Sequence, residues 1–121
     1  MTRRVLIVED EPHIVESLTF LLSREGFDVA AIDDGAAAFD ALAAEPPDVL
    51  VLDVMLPGLN GFDLLRRVRA TPALAALPVL MLTAKGQRRD RETAENAGAD
   101  RFMTKPFSNA EVVAAVRELA A

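Results

Sequence analysis

The chain has 121 residues, 51% of them hydrophobic, with a net charge of −6 and neither Cys, Trp nor Tyr. This is the length of one domain with a sizeable core; the acidic balance argues against nucleic-acid binding by it, and the missing cysteines exclude disulfides and thiol chemistry. No apolar run approaches the roughly 20 residues of a membrane span, and Met1-Thr2-Arg3-Arg4 leads into a strand-like segment rather than a signal peptide, so a cytoplasmic protein without membrane association is expected.

Strand and helix alternate along the chain. Arg4 to Val8 reads as a first strand, ending in Glu9-Asp10-Glu11. Pro12 suits the first turn of a helix, whose apolar stripe is Ile14, Leu18, Leu21 and Leu22 and which stops near Gly26. Asp28 to Ile32 is a weaker second strand. Asp34 or Gly35 opens an alanine-rich helix with Phe39 and Leu42 facing in, ending before Pro46-Pro47. Val49-Leu50-Val51-Leu52 is the third strand, apolar enough to be buried on both faces, with Asp53 at its tip, half out of the core.

Asn60-Gly61 leads a helix through Leu64, Leu65 and Val68 to Thr71-Pro72. Pro78 to Leu82 is a fourth buried strand, ending at Thr83-Ala84-Lys85. Residues 87–97 form the least apolar helix, stopped by Gly98. Arg101 to Thr104 is a short fifth strand, followed by Lys105-Pro106-Phe107. Ser108 or Asn109 caps a last helix carrying Val112, Val113, Val116 and Leu119. His13 reads as a solvent-facing helix residue, Met81 and Phe107 as core, and Arg88-Arg89 as a solvated face. Five strands alternating with five helices predict one doubly wound α/β domain over residues 1–121, with a mainly parallel sheet.

In such a sheet ligands bind beyond the carboxyl ends of the strands. Glu9-Asp10, Asp53, Thr83 and Lys105 all fall at that edge. An unpaired buried carboxylate costs several kcal/mol, and three of them together repel. A divalent cation offsets that repulsion, and an oxygen-only ligand set without His or Cys favours Mg²⁺ or Mn²⁺ over zinc. Lys105 adds an ammonium, Thr83 a hydroxyl and Ala84 a backbone N–H, which together suit a phosphoryl group. Asp53 lies in their midst, as a carboxylate nucleophile that would accept phosphate as an acyl phosphate.

Taken singly, each motif also fits a structural role: Glu9-Asp10 as helix-start acids, Asp53 as a strand-end cap, Thr83 as an N-cap, Lys105 as a surface lysine. Taken together at one edge they do not. Val8-Glu9-Asp10-Glu11, Leu52 to Gly58 with Asn60-Gly61, Leu82-Thr83-Ala84 and Lys105-Pro106-Phe107 resemble the receiver domains of two-component response regulators, over essentially the whole chain. The resemblance implies a flavodoxin-like fold with strand order 2-1-3-4-5. It implies Asp53 as phosphoacceptor, with Asp10, Glu9, Asp53 and the Met55 carbonyl around Mg²⁺. Thr83 and Lys105 then act on the phosphate, the Ala84 N–H contacts it, and Thr83 and Phe102 form a switch. It also suggests a cis Lys105–Pro106 bond.

The implied partner is a sensor histidine kinase or a histidine phosphotransfer protein. The domain would be a signalling phosphoacceptor, catalysing only its own phosphorylation and dephosphorylation. Its output face would be the fourth helix, fifth strand and fifth helix, with Arg91 and Glu111 matching one charge pair of a phosphorylation-dependent homodimer; Ala97, Arg101 and Ala115 depart from the other pairs. Phe102 departs from the usual Tyr or His, and has no hydrogen-bonding tip. Met55 and Lys85 are bulky where the family tunes water access, which implies slow hydrolysis of the phosphate. A haloacid-dehalogenase-type phosphatase would need an Asp where Met55 stands. In a flavodoxin-like electron carrier, Glu9-Asp10-Glu11 would repel the flavin phosphate. A phosphorylation-independent receiver used only for binding would not need the complete site.

Overall fold

A computed structural model describes residues 2–83 and 88–121. Its elements are β1 (Arg4–Val8), α1 (Pro12–Arg24), β2 (Asp28–Ile32), α2 (Gly35–Ala44), β3 (Val49–Asp53), α3 (Gly61–Ala70), β4 (Val79–Thr83), α4 (Arg88–Ala97), β5 (Arg101–Thr104) and α5 (Asn109–Ala120). The sheet order is β2-β1-β3-β4-β5, and every pairing is parallel.

Local chemistry sets the boundaries. Pro12 opens α1, where its missing N–H costs nothing. Asp34, Asn60 and Ser108 cap α2, α3 and α5 by accepting from Ala37, Asp63 and Glu111 N–H. Gly26 and Gly98, both at positive φ, end α1 and α4.

Successive strand residues point to opposite faces, so the sheet has two cores. Val5, Ile7, Val49, Val51, Leu80 and Leu82 pack under α1 and α5 through Leu18, Leu22, Val112 and Val116. Leu6, Val8, Leu50, Leu52, Val79 and Met81 pack under α2, α3 and α4 through Leu42, Leu64, Leu65, Val68 and Ala94. β2 lies at the edge and buries none of its residues fully, which explains its weak apolar pattern. Met81 is buried, Phe107 packs at the margin of the α1/α5 core, and His13 is exposed. Phe39 is only half-buried, with the Arg67 guanidinium 4.1 Å over its ring. Gln87, Ala84 and Lys85 lie outside the described residues. No helix among the described residues is long and apolar enough to cross a membrane.

Candidate functional site

The register builds the site. Val8 pairs with Leu52 across β1 and β3, so the next residues, Glu9 and Asp53, are neighbours of the same facing. Asp53 pairs with Leu82 on β4. Thr83 pairs with Thr104 on β5, and the Lys105 N–H donates to the Thr83 carbonyl at 2.7 Å. Lys105 is therefore delivered to the same corner. The Lys105–Pro106 bond is cis.

Asp53 is only 4% exposed, so it is buried rather than half out of the core. Lys105 covers it from one side, and the start of α3 from another. Lys105 Nζ lies 2.6 Å from Glu9 Oε1 and 3.3 Å from Asp53 Oδ2. Glu9 is also buried, and its Oε2 accepts from the Asp10 N–H at 3.0 Å. Asp10 is exposed. Thr83 is buried beside them at the end of β4. Met55 is exposed, just beyond Asp53.

The electrostatics follow from this crowding. Burial, then the adjacent Asp53 carboxylate, push the Glu9 carboxyl above its ordinary value, and Lys105 pulls it back only in part. Burial pulls the Lys105 ammonium down, but its hydrogen bond to Glu9 and the charges of Asp53 and Glu9 outweigh that and hold it above the ordinary lysine range. Lys105 thus stays charged at neutral pH.

The residues fit a hard divalent cation. Oxygens of Glu9, Asp10 and Asp53 all lie within 4.8 Å of one another. Asp53 Oδ1 is buried and has no hydrogen-bond partner among the described residues. Three carboxyl groups thus crowd together, two of them against the Lys105 ammonium, and the donor set is all oxygen.

Two glycines hold the site's loop, and the apolar pattern does not show it. A Cβ on Gly61 would sit 2.8 Å from Val54 Cα and 3.0 Å from the Asp53 carbonyl carbon, closer still to the Asp53 carbonyl oxygen. A Cβ on Gly35 would strike the Leu59 carbonyl, and the Gly35 N–H donates to the Pro57 carbonyl at 3.2 Å. The starts of α2 and α3 therefore press directly on the chain after β3. The one sequence signal is glycine at the first helical position of both helices, where it weakens the helix unless close approach requires it.

Of the remaining expected residues, Phe102 is half-buried on β5 against the α2/α3/α4 core, and the Arg91 guanidinium of α4 stands 5.5 Å from its ring centroid. Glu111 is exposed in the first turn of α5. Arg101, a departure from the dimer pattern, pairs with Glu118 at 2.7 Å within the chain.

Against this geometry, the family model for the response regulator receiver domain matches residues 5–117. The DNA-binding response regulator MtrA of Mycolicibacterium smegmatis is 44% identical over 117 residues, which are 97% of this chain and 50% of that protein. The signal receiver domain of a signal transduction histidine kinase from Syntrophus aciditrophicus superposes with a TM-score of 0.92 at 32% identity, covering 98% of this chain and 90% of that one. The receiver domain of a sensor histidine kinase from Pseudomonas aeruginosa PAO1, with a magnesium ion coordinated in its active site cleft, superposes at 0.91 with 28% identity, covering 99% and 98%. The chain belongs to the response regulator receiver domain family of two-component systems. It spans about half the length of the curated relatives it matches.

Proposed function

We propose that residues 1–121 form one receiver domain that accepts a phosphoryl group on Asp53 from a histidine kinase or a histidine phosphotransfer protein. The observation that carries this is Asp53 itself. It is a buried carboxylate at a strand tip, with one oxygen beside Lys105 and the other without a partner among the described residues.

Asp53 attacks the phosphorus, the P–N bond to the donor imidazole breaks, and its electron pair stays on that ring nitrogen, so that the imidazole, still carrying a proton on its other nitrogen, departs neutral. Lys105 neutralises charge on the phosphoryl oxygens, and Thr83 donates its hydroxyl to one of them. Glu9, Asp10 and Asp53, with the Met55 carbonyl, would hold Mg²⁺, which when bound offsets the charge of the incoming phosphate. The Ala84 N–H is a further donor in this reading. The acyl phosphate then biases an equilibrium between two conformations. Thr83 and Phe102 read it, and the face of α4, β5 and α5 delivers it to a partner or, through Arg91 and Glu111, to a second copy.

The test is incubation with a small phosphodonor such as acetyl phosphate and Mg²⁺. One acid-labile phosphoryl group per chain is expected, absent in Asp53→Ala and absent with EDTA. Undiminished labelling of Asp53→Ala overturns the assignment.

A further inference from the structure

α4 connects the two edges of the sheet. β4 ends at the edge that carries Asp53 and Lys105, and α4 runs back to the opposite edge, where β5 begins. At that far edge Arg69, the second-last residue of α3, gathers the chain. Its Nε and Nη2 donate to the Gly98 carbonyl at 2.9 and 2.8 Å. Its Nη1 donates to the Leu77 carbonyl at 2.6 Å and to Ala75 at 3.1 Å. Its Nη2 also reaches Asp100 Oδ2 at 3.0 Å, and that oxygen accepts the Val79 N–H at 2.8 Å.

One guanidinium thus ties the residue after α4 to the end of α3, the approach to β4 and the approach to β5. The side chain is only 21% exposed, and its bonds to Gly98 and Leu77 are part-buried. Gly98 completes the joint: it has φ +101, and a Cβ there would meet Arg69 Nε at 3.0 Å. Among the described residues, the fully buried side chains of α4 are Ala94 and Ala97, both in its second half. Alanine offers little apolar surface. The core therefore grips α4 lightly, and nearer its far end.

We propose that Arg69 is a positioning residue that fixes the C-terminal end of α4, making the helix a lever whose other end responds to the phosphorylation site. The lever's trigger rests on the phosphoacceptor reading above; the fixed end does not. The arrangement differs from an ordinary helix end, which frays. It predicts that the amides closing the C-terminal end of α4, those of Gly98 and Ala99, are better protected than those within the helix.

Amide hydrogen exchange on the whole chain tests both parts. Without ligand, Gly98 and Ala99, whose N–H groups donate to Ala94, should exchange at least tenfold slower than Glu92 and Thr93. Arg69→Met should erase that gradient, and Arg69→Lys should restore part of it. With Mg²⁺ and beryllofluoride, Glu92 and Thr93 should change severalfold while Gly98 and Ala99 change less than twofold; in Arg69→Met both pairs should change.

A wild-type chain in which Gly98 and Ala99 exchange as fast as Glu92 and Thr93 removes the fixed end, without recourse to any variant. So does an Arg69→Met protein whose Gly98 and Ala99 rates stay within twofold of wild type. Equal ligand-driven change along all of α4 in the wild type overturns the lever. No ligand-driven change anywhere, matching Asp53→Ala, overturns the trigger and the phosphoacceptor reading, while the unliganded rates still decide the fixed end.

Discussion

Gly61→Ala should disable the site without touching a side chain in it. The added Cβ would lie 2.8 Å from Val54 Cα, against a carbon–carbon contact of about 3.5–4.0 Å. Backbone therefore has to move by about 1 Å, and the backbone in question is that of Asp53 and Val54. Overpacking of this kind costs about 1–3 kcal/mol. At the unfolding entropy of a domain this size, each kcal/mol lowers Tm by about 4 °C, so a loss of about 4–12 °C is expected. The matched control is Gly26→Ala. Gly26 has φ +92, and no described atom lies within 4 Å of where a Cβ would stand, so the variant carries only left-handed strain, about 1–2 kcal/mol. The two variants should therefore lose comparable stability by circular dichroism. They should separate on phosphorylation by a small phosphodonor with Mg²⁺. A misplacement of about 1 Å at a reacting group costs on the order of 100-fold in rate, so Gly61→Ala should be slowed by about that factor and Gly26→Ala hardly at all. Equal labelling rates in the two variants would refute the claim that the start of α3 sets the position of Asp53.

Lys105→Met leaves two buried carboxylates without their cation, and removing one partner of a buried pair costs about 3–5 kcal/mol; a loss under about 1 kcal/mol in urea unfolding contradicts the ion-pair geometry. The raised Glu9 carboxyl gives a signed pH dependence. The folded chain binds that proton more tightly than the unfolded chain, so its contribution is full below about 4.5 and declines as pH rises through the folded value. Without Mg²⁺, Glu9→Gln should flatten that decline in denaturant titrations, and an unchanged slope counts against it. Lys105, also raised, contributes below about 10.5 and loses its contribution above. Mg²⁺ at a hundred times its Kd should add about 2.7 kcal/mol to stability, and Asp10→Asn should lose most of that in thermal shift; an equal gain in the variant removes Asp10 from the metal site. The exposed bulk of Met55 leads to a phospho-Asp53 half-life of minutes or longer at 25 °C, read by loss of label after the donor is removed; a half-life of seconds contradicts it.

What the sequence made legible is what periodicity and punctuation carry. The apolar runs Val49–Leu52 and Val79–Leu82 sit in β3 and β4, and Pro12, Asp34, Asn60 and Ser108 open their helices as their chemistry requires. The strand-tip rule put Glu9, Asp53, Thr83 and Lys105 at one edge because every strand is parallel. Distances within that edge depend on register, which local pattern does not encode. Hence the closer approach of Lys105 to Glu9 than to Asp53 and the burial of Asp53 emerge only in three dimensions. Gly61 and Arg69 were illegible for a related reason. Each is defined by a backbone far along the chain or across a turn: Asp53 for Gly61, Gly98 and Leu77 for Arg69.

The substitution of Phe at position 102 bears on how a phosphate at Asp53 would be read. Moving a two-state protein from mostly off to mostly on requires about 5.5 kcal/mol of differential stabilisation. The contact that Phe102 offers in place of a hydrogen bond is the Arg91 guanidinium at 5.5 Å, and such a contact at an exposed site is worth about 0.5–1 kcal/mol. That is a fifth or less of the requirement, even if the contact exists in only one state. The bulk of the switching energy must then come from the charged groups around the phosphate. On that reading the aromatic position would follow α4 through Arg91 instead of driving it. A helix gripped by two alanines and tied at one end by Arg69 can follow such a bias at small cost, so on the proposed reading α4, more than the ring on β5, would give the signal its mechanical form.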